Sequence, residues 1–205
     1  MPPVFDWWFL TFQFDYKVKN MQKIKNRKIR AVILTADKFE DMELFFPYFR
    51  QLEEGAKVDI AGPAKGNIGG ENGYSLKIEK TFSQINPDDY DLLILPGGSA
   101  HGAPTTVRKN SKAQAIAKSF FAKNKSVAAI CHGPYTLVSA GLVKGRTLTS
   151  YWHDGVPEEI MHAGGKWLDK EVVVDGNLVT SRWPQDLPHF MREMMAMVAK
   201  YKNKK

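Results

Sequence analysis

A single cysteine, Cys131, among 205 residues excludes an internal disulfide and any metal centre built from several thiolates. No stretch reaches the roughly 20 consecutive apolar residues that span a bilayer, so no membrane partner is expected. Neither a phosphate loop nor a dinucleotide fingerprint is present, because the glycines of Gly66–Gly73 lead into a hairpin-like stretch rather than a helix. Five histidines and scattered acids fall at no metal-ligand spacing. Positive charge is scarce where a nucleic-acid surface would need it. Residues 1–30 hold seven Lys or Arg against two Asp and carry +5 of the net +7, which leaves the body nearly neutral. Basicity confined to a short lead-in argues against nucleic acid as a partner.

What is present is the composition of an ordinary globular chain, 43% hydrophobic and 25% charged, long enough for one α/β domain with a sizeable core. A lone thiol suits a reducing compartment, and a cytoplasmic location is expected. The opening MPPVFDWWFLTFQFDYKVKN is aromatic but carries Asp6 and Asp15 inside its apolar part, the reverse of a secretory signal's order. Residues 1–28 are therefore expected to form an extension outside the fold, poorly ordered or upstream of a functional start at Met21. The domain proper is assigned to residues 29–200.

From residue 29 strands and helices alternate. Ile29–Thr35 is a β-branched run suited to a strand buried on both faces. The stretch DKFEDMELFFPYFRQLEEG follows, with acids at the helix start, Gly55 as its stop, and Pro47 expected to bend or delay it. Lys57–Ala61 is a second strand, Gly66–Ile78 a small hairpin, and Tyr90–Leu95 a buried strand ended by Pro96-Gly97-Gly98. A helix over Ser111–Lys123 precedes the strand Ser126–Ile130, and Cys131-His132-Gly133-Pro134 leads into a helix ending near Gly141. The last third offers Thr147–Ser150, a helical piece over 157–163, strands at Glu171–Val174 and Leu178–Thr180 around the turn Asp175-Gly176-Asn177, and a closing helix Asp186–Lys200. This alternation predicts a three-layer sandwich with a doubly wound, mostly parallel sheet.

In an open parallel sheet, active sites form beyond the carboxyl ends of strands. Three motifs lie there: Glu40–Glu43, Pro96-Gly97-Gly98 and Cys131-His132-Gly133. Cys131 sits between a buried strand and a helix with glycine two places on, a pattern like the nucleophile elbow of hydrolases. That turn brings the sulfur near the first amides of the helix, whose partial positive charge favours thiolate. A buried structural cysteine is the competing reading, as an acidic helix start is for Glu40–Glu43.

AICHGPYTLVSAG, LPGG, FEDMELFFPY and EVVVDGNLVTSR together closely resemble the ThiJ/PfpI superfamily over about residues 29–200. The resemblance implies a flavodoxin-like fold of the class I glutamine amidotransferase kind. It implies a cysteine-dependent enzyme acting on reactive carbonyls, either a glyoxalase converting methylglyoxal to lactate or a deglycase. PfpI-like peptidase or amidase activity is the alternative, and a redox-sensing or chaperone-like stress protein a further one. No metal, thiol cofactor or nicotinamide would be needed.

The resemblance also assigns residues. Cys131 is the nucleophile, Glu43 the proton shuttle beside it (Glu40 the alternative), and the Gly98 and His132 amides the oxyanion hole. His132 would act in peptidase-type members with a glutamate from an adjacent subunit, but here Thr105 stands where that acid is expected. Tyr151 stands where the family often has a pocket tyrosine; Trp152-His153-Asp154, which departs from the family pattern there, is read as pocket wall, with Arg182 and Trp183 at the same mouth and Glu40 among the pocket residues. A carbonyl compound, small or protein-bound, and a homodimer or larger ring of identical subunits are the partners implied.

Overall fold

A computed structural model describes residues 28–202. The extension assigned to residues 1–28, with its start at Met21, thus lies almost wholly outside the described residues.

In chain order the strands are β1 Arg30–Leu34, β2 Lys57–Gly62, β3 Gly66–Gly69, β4 Ser75–Ile78, β5 Lys80–Thr81, β6 Leu92–Leu95 and β7 Ser126–Ile130. They continue as β8 Thr147–Leu148, β9 Lys166–Trp167, β10 Val172–Asp175 and β11 Leu178–Ser181. The helices are α1 Asp41–Glu53, α2 Ala103–Lys109, α3 Ser111–Ala122, α4 Pro134–Ser139, α5 Val156–His162 and α6 Leu187–Lys202.

Seven strands form one sheet in the order β10-β11-β7-β6-β1-β2-β5, parallel except for β10 against β11. β1, β6 and β7 are unbroken apolar runs because helices cover both faces. α1 and α6 pack together on one face, joined by a contact of Gln51 Nε2 with Met195 Sδ, while α2, α3, α4 and α5 share the other. The three-layer, doubly wound, mostly parallel sandwich is therefore the observed fold.

One local reading needs correction, and two short elements are added to those read from the sequence. α1 is not delayed by Pro47 but begins at Asp41 and runs through the proline to Glu53. Its buried side anchors it to the sheet, which outweighs the one amide donor proline lacks. The sequence reading did not assign α2, a short helix with Pro104 in its first turn, where a missing N–H costs nothing. β5, two residues long, extends the sheet beyond β2.

The topology sets the site. From β1 the chain passes first to β2 and later to β6 on the opposite side, so a crevice opens over the carboxyl ends of β1, β6 and β7. Phe39 bridges this region, pairing with Gly70 of the hairpin connection on one side and Gly98 on the other. On its outer side α1 exposes Met42, Phe46, Phe49 and Leu52, and the first three line, with Tyr74, a concavity of about 750 Å³.

Candidate active site

Cys131 is the first residue beyond β7, and its φ of 60° is left-handed. A non-glycine residue there costs about 1–3 kcal/mol and persists only when its surroundings hold it. They do so from three directions. The Cys131 amide donates to Ser181 O at 3.1 Å, its carbonyl accepts from Tyr151 N at 3.0 Å, and Gly133 N closes the turn on Ile130 O at 2.8 Å. Gly133 is obligatory, since a Cβ there would lie 2.1 Å from Leu95 O. The strand-to-helix elbow read from the sequence is present, and it turns the thiol toward the loop after β6.

The acids of Glu40–Glu43 take three separate positions. Glu40 caps α1, its Oε2 accepting from Glu43 N at 2.7 Å, and Asn72 Nδ2 reaches its Oε1 at 3.3 Å. Asp41 pins the hairpin connection by accepting from Asn72 N and Tyr74 N at 2.8 and 3.0 Å. Glu43 alone turns inward, fully buried, with Oε2 accepting from Gly97 N at 2.8 Å. Its carboxyl interacts with the Cys131 side chain, while Oε1 makes no other hydrogen bond among the described residues. Carboxyl and sulfur converge on one point. A Cβ added to Gly97 would lie 2.5 Å from Glu43 Oε2 and 3.0 Å from Cys131 Sγ.

Burial, followed by repulsion from Glu40, pushes the Glu43 carboxyl well above the ordinary carboxylate range. Burial likewise raises Glu40. The Cys131 thiol is pushed up by burial and then by a negative charge on Glu43, whereas the His132 and Gly98 amides pull it down. The His132 amide at the strand-to-helix turn and the Gly98 amide after β6 favour thiolate, but burial opposes them more strongly. They are the two amides assigned to the oxyanion hole. Gly98 has φ 139° and approaches Lys38 O so closely that a Cβ would lie 2.5 Å from it.

His132 departs from expectation. Adjacent residues at a sharp turn usually diverge, yet His132 Nδ1 lies 3.3 Å from Cys131 Sγ. Its Nε2 lies 3.0 Å from Asp154 Oδ2, which gives a Cys131–His132–Asp154 chain within one subunit. Burial holds the imidazole below its ordinary value, offset in part by Asp154. Thr105 bonds Ala100 O instead. Asp154 was missed in the sequence. Its loop reads only as a Trp-His-Asp pocket wall, and the left-handed turn at Asp154, φ 59°, aims the carboxylate back at the histidine. Arg108 braces this region by pairing with Glu159 and bonding Ser139 Oγ, with its guanidinium 4.1 Å from the Tyr135 ring. Tyr135 in turn donates to Asp154 O.

Glu71 was also missed. It lies between β3 and β4, yet it accepts from Ser99 N and acts electrostatically on Glu40, Glu43 and His132. Of the pocket residues, the Tyr151 ring sits 5.0 Å from that of His132, and Trp152 stands edge-on to Trp183 at 4.8 Å. Arg182 is committed to Asp169 and Asp186, each at 2.7 Å, which raise its pKa. No group of three or more His, Cys, Asp or Glu among the described residues gathers as a metal would require. No described helix is long and apolar enough to cross a membrane.

Comparison with known proteins matches residues 29–197 to the DJ-1/PfpI family. The chain is 49% identical over 170 residues to a Pyrococcus furiosus protein named deglycase PfpI, spanning 83% of this chain and 99% of that one. It is 36% identical over 170 residues to a Bacillus subtilis protein named putative cysteine protease YraA, spanning 82% and 98%. A solved Anabaena variabilis two-domain protein with DJ-1/ThiJ/PfpI-like and ferritin-like domains superposes with a TM-score of 0.78 at 30% identity. That match covers 82% of this chain and 48% of the larger protein. An elbow thiol facing a buried carboxyl thus occurs within a chain aligned almost from end to end with such relatives, and the chain belongs to the DJ-1/PfpI family.

Proposed function

We propose that the chain is a deglycase-type cysteine enzyme of the DJ-1/PfpI family that acts on reactive carbonyls and their adducts. One observation carries this reading: the Glu43 carboxyl and the Cys131 sulfur flank the same glycine in a buried pocket. Two anions so placed cannot coexist, so the pair titrates as a unit and releases one proton first. In this proposal the first negative charge is placed on sulfur, where the His132 and Gly98 amides pull the thiol down, and the proton on Glu43, whose carboxyl is pushed up by burial and by Glu40.

Cys131 thiolate adds to the aldehyde carbon of methylglyoxal, forming a C–S bond and leaving charge on the former carbonyl oxygen. The Gly98 and His132 amides now on sulfur stabilise that oxyanion, and Glu43 supplies its proton. Proton transfer from this carbon to its neighbour yields a lactate thioester. Water attacks the thioester, releasing lactate and restoring the thiol, so methylglyoxal plus water gives lactic acid. On a protein-bound adduct the same attack would release the repaired amine. The test is lactate formation from methylglyoxal by purified protein without added glutathione; no lactate above the uncatalysed rate would refute the reading.

The Cys131–His132–Asp154 chain favours a second reading, acyl transfer from amides, in which His132 protonates the leaving amine. In this second reading His132 must be neutral to accept a proton. Activity falls as pH drops through its depressed pKa, so the acid limb of kcat/KM lies below the ordinary imidazole range. Asp154→Asn removes an interaction that raises that pKa. A pH–rate profile of this variant is expected to show its acid limb at still lower pH with a reduced plateau. An unmoved limb would separate Asp154 from His132.

We also propose that the apolar face of α1 pairs with a second copy of the chain. Its large side chains exceed what a solvated helix face carries, and Arg50 with Glu53 and Glu54 provides both signs at the rim, as a two-fold contact requires. Sedimentation is expected to give a dimer or multiple of dimers for the wild type and smaller species for Phe49→Glu. Equal masses would exclude this face.

A further inference from the structure

An aromatic wall rises from Cys131 that the proposed proton transfers do not use. Tyr151 N is bonded to the nucleophile's own carbonyl. From there the rings succeed one another: His132 to Tyr151 at 5.0 Å, Tyr151 to Trp152 at 5.1 Å, and Trp152 to Trp183 at 4.8 Å with planes at 77°. The two indoles come from distant segments, the β8–α5 connection and the β11–α6 connection, and meet at the carboxyl-end mouth.

Their surroundings differ from those of a structural tryptophan. Trp167 donates its indole N–H to Ser150 Oγ at 3.0 Å. Among the described residues no such bond is made by Trp152 or Trp183, and both are half-buried, with ring surface left to solvent. The platform is held firmly. Arg182, one residue before Trp183, is clamped by Asp169 and Asp186, and its guanidinium lies 5.8 Å from the Trp152 ring. Because both carboxylates satisfy Arg182, it is not free to bind a substrate acid. Asp154 is likewise taken by His132. The wall therefore offers a fixed π-surface that runs outward from Tyr151, whose amide is bonded to the Cys131 carbonyl, and it suits a planar ring more than a short alkyl group or a second charge.

We infer that Trp152 and Trp183 form a specificity subsite for a planar aromatic group attached to the carbonyl that Cys131 attacks. The inference rests on the reading of Cys131 as nucleophile. Its test compares phenylglyoxal, hydrated overall to mandelate, with methylglyoxal, hydrated overall to lactate. The wild-type protein is expected to favour phenylglyoxal in kcat/KM by about tenfold. Trp183→Leu keeps an apolar side chain without the π-system and should bring the ratio close to one, whereas Trp183→Phe restores most of it. The ratio, rather than either rate alone, is the readout. Equal loss on both substrates, or an unchanged ratio, would reduce the indoles to loop packing and overturn the inference.

A binding measurement separates failure of the subsite from failure of the parent reading. Calorimetric titration of Cys131→Ser, which cannot turn over by the proposed route, is expected to give tighter binding of mandelate than of lactate, with the difference lost on adding Trp183→Leu. Equal dissociation constants for the two acids would overturn the subsite even if the wild-type enzyme proved active. A clear mandelate preference alongside a wild-type protein that turns over neither glyoxal would leave the subsite standing and sink the nucleophile.

Discussion

Replacing Cys131 by alanine is expected to lower methylglyoxal turnover by on the order of 10⁴-fold or more, the loss typical when a covalent nucleophile is removed. The comparison is clean because the elbow is held by backbone bonds, from Cys131 N to Ser181 O and from Tyr151 N to Cys131 O, which alanine keeps. Alanine also fits the left-handed turn about as well as cysteine does. Circular dichroism and thermal unfolding should therefore change little while lactate production disappears. Comparable rates for both proteins would mean that the chemistry takes place elsewhere.

Glu43→Gln is the second large effect. The glutamine carbonyl can still accept the Gly97 amide, so the local geometry is preserved. Its NH₂ can donate a hydrogen bond toward sulfur but cannot give up a proton. A kcat loss of about 10²- to 10⁴-fold follows, the usual contribution of a positioned general acid. Stability should move the other way. The folded Glu43 pKa stands well above the ordinary 4.5, so the folded state binds this proton more tightly than the unfolded state. The corresponding stability is present in full below the unfolded value and declines as pH rises toward the folded one. Up to about 1.4 kcal/mol is lost per pH unit in that window. Glu43→Gln carries no such dependence and should gain in relative melting temperature between pH 5 and neutrality as measured by calorimetry. A variant that is destabilised by the same amount at every pH would indicate an ionised Glu43 in the native protein.

The parts of the site legible in the sequence are those written locally at strand ends. Cys131 after Ser126–Ile130, Gly97-Gly98 after β6 and Glu43 after β1 are each fixed by one strand and the turn that follows. A parallel sheet brings such ends together whatever the loops between them do. Asp154 and Glu71 escaped because each lies in an excursion. The connection between β8 and α5 folds back onto His132 only through a left-handed residue, and the β3–β4 hairpin reaches Ser99 by bending over Phe39. Nothing in WHDG or GGEN encodes that return. Pro47 shows the same limit in a helix. It was read as a bend or delay, whereas a proline's cost depends on its place in the helix and on the face it buries.

The direction of the Cys131 thiol was not legible either. Helix-end amides are visible from the turn pattern, but near-complete burial and the facing carboxyl belong to the assembled pocket. Together they make proton sharing between two groups, rather than a simple low thiol pKa, the feature on which the proposed mechanism turns.

Infrared difference spectroscopy of the wild-type protein against Glu43→Gln at neutral pH tests this most directly. The account predicts a protonated-carboxyl C=O stretch in the wild type that is missing from the variant. A difference spectrum containing only ionised carboxylate bands would contradict it, because Glu43 would then have no proton to give.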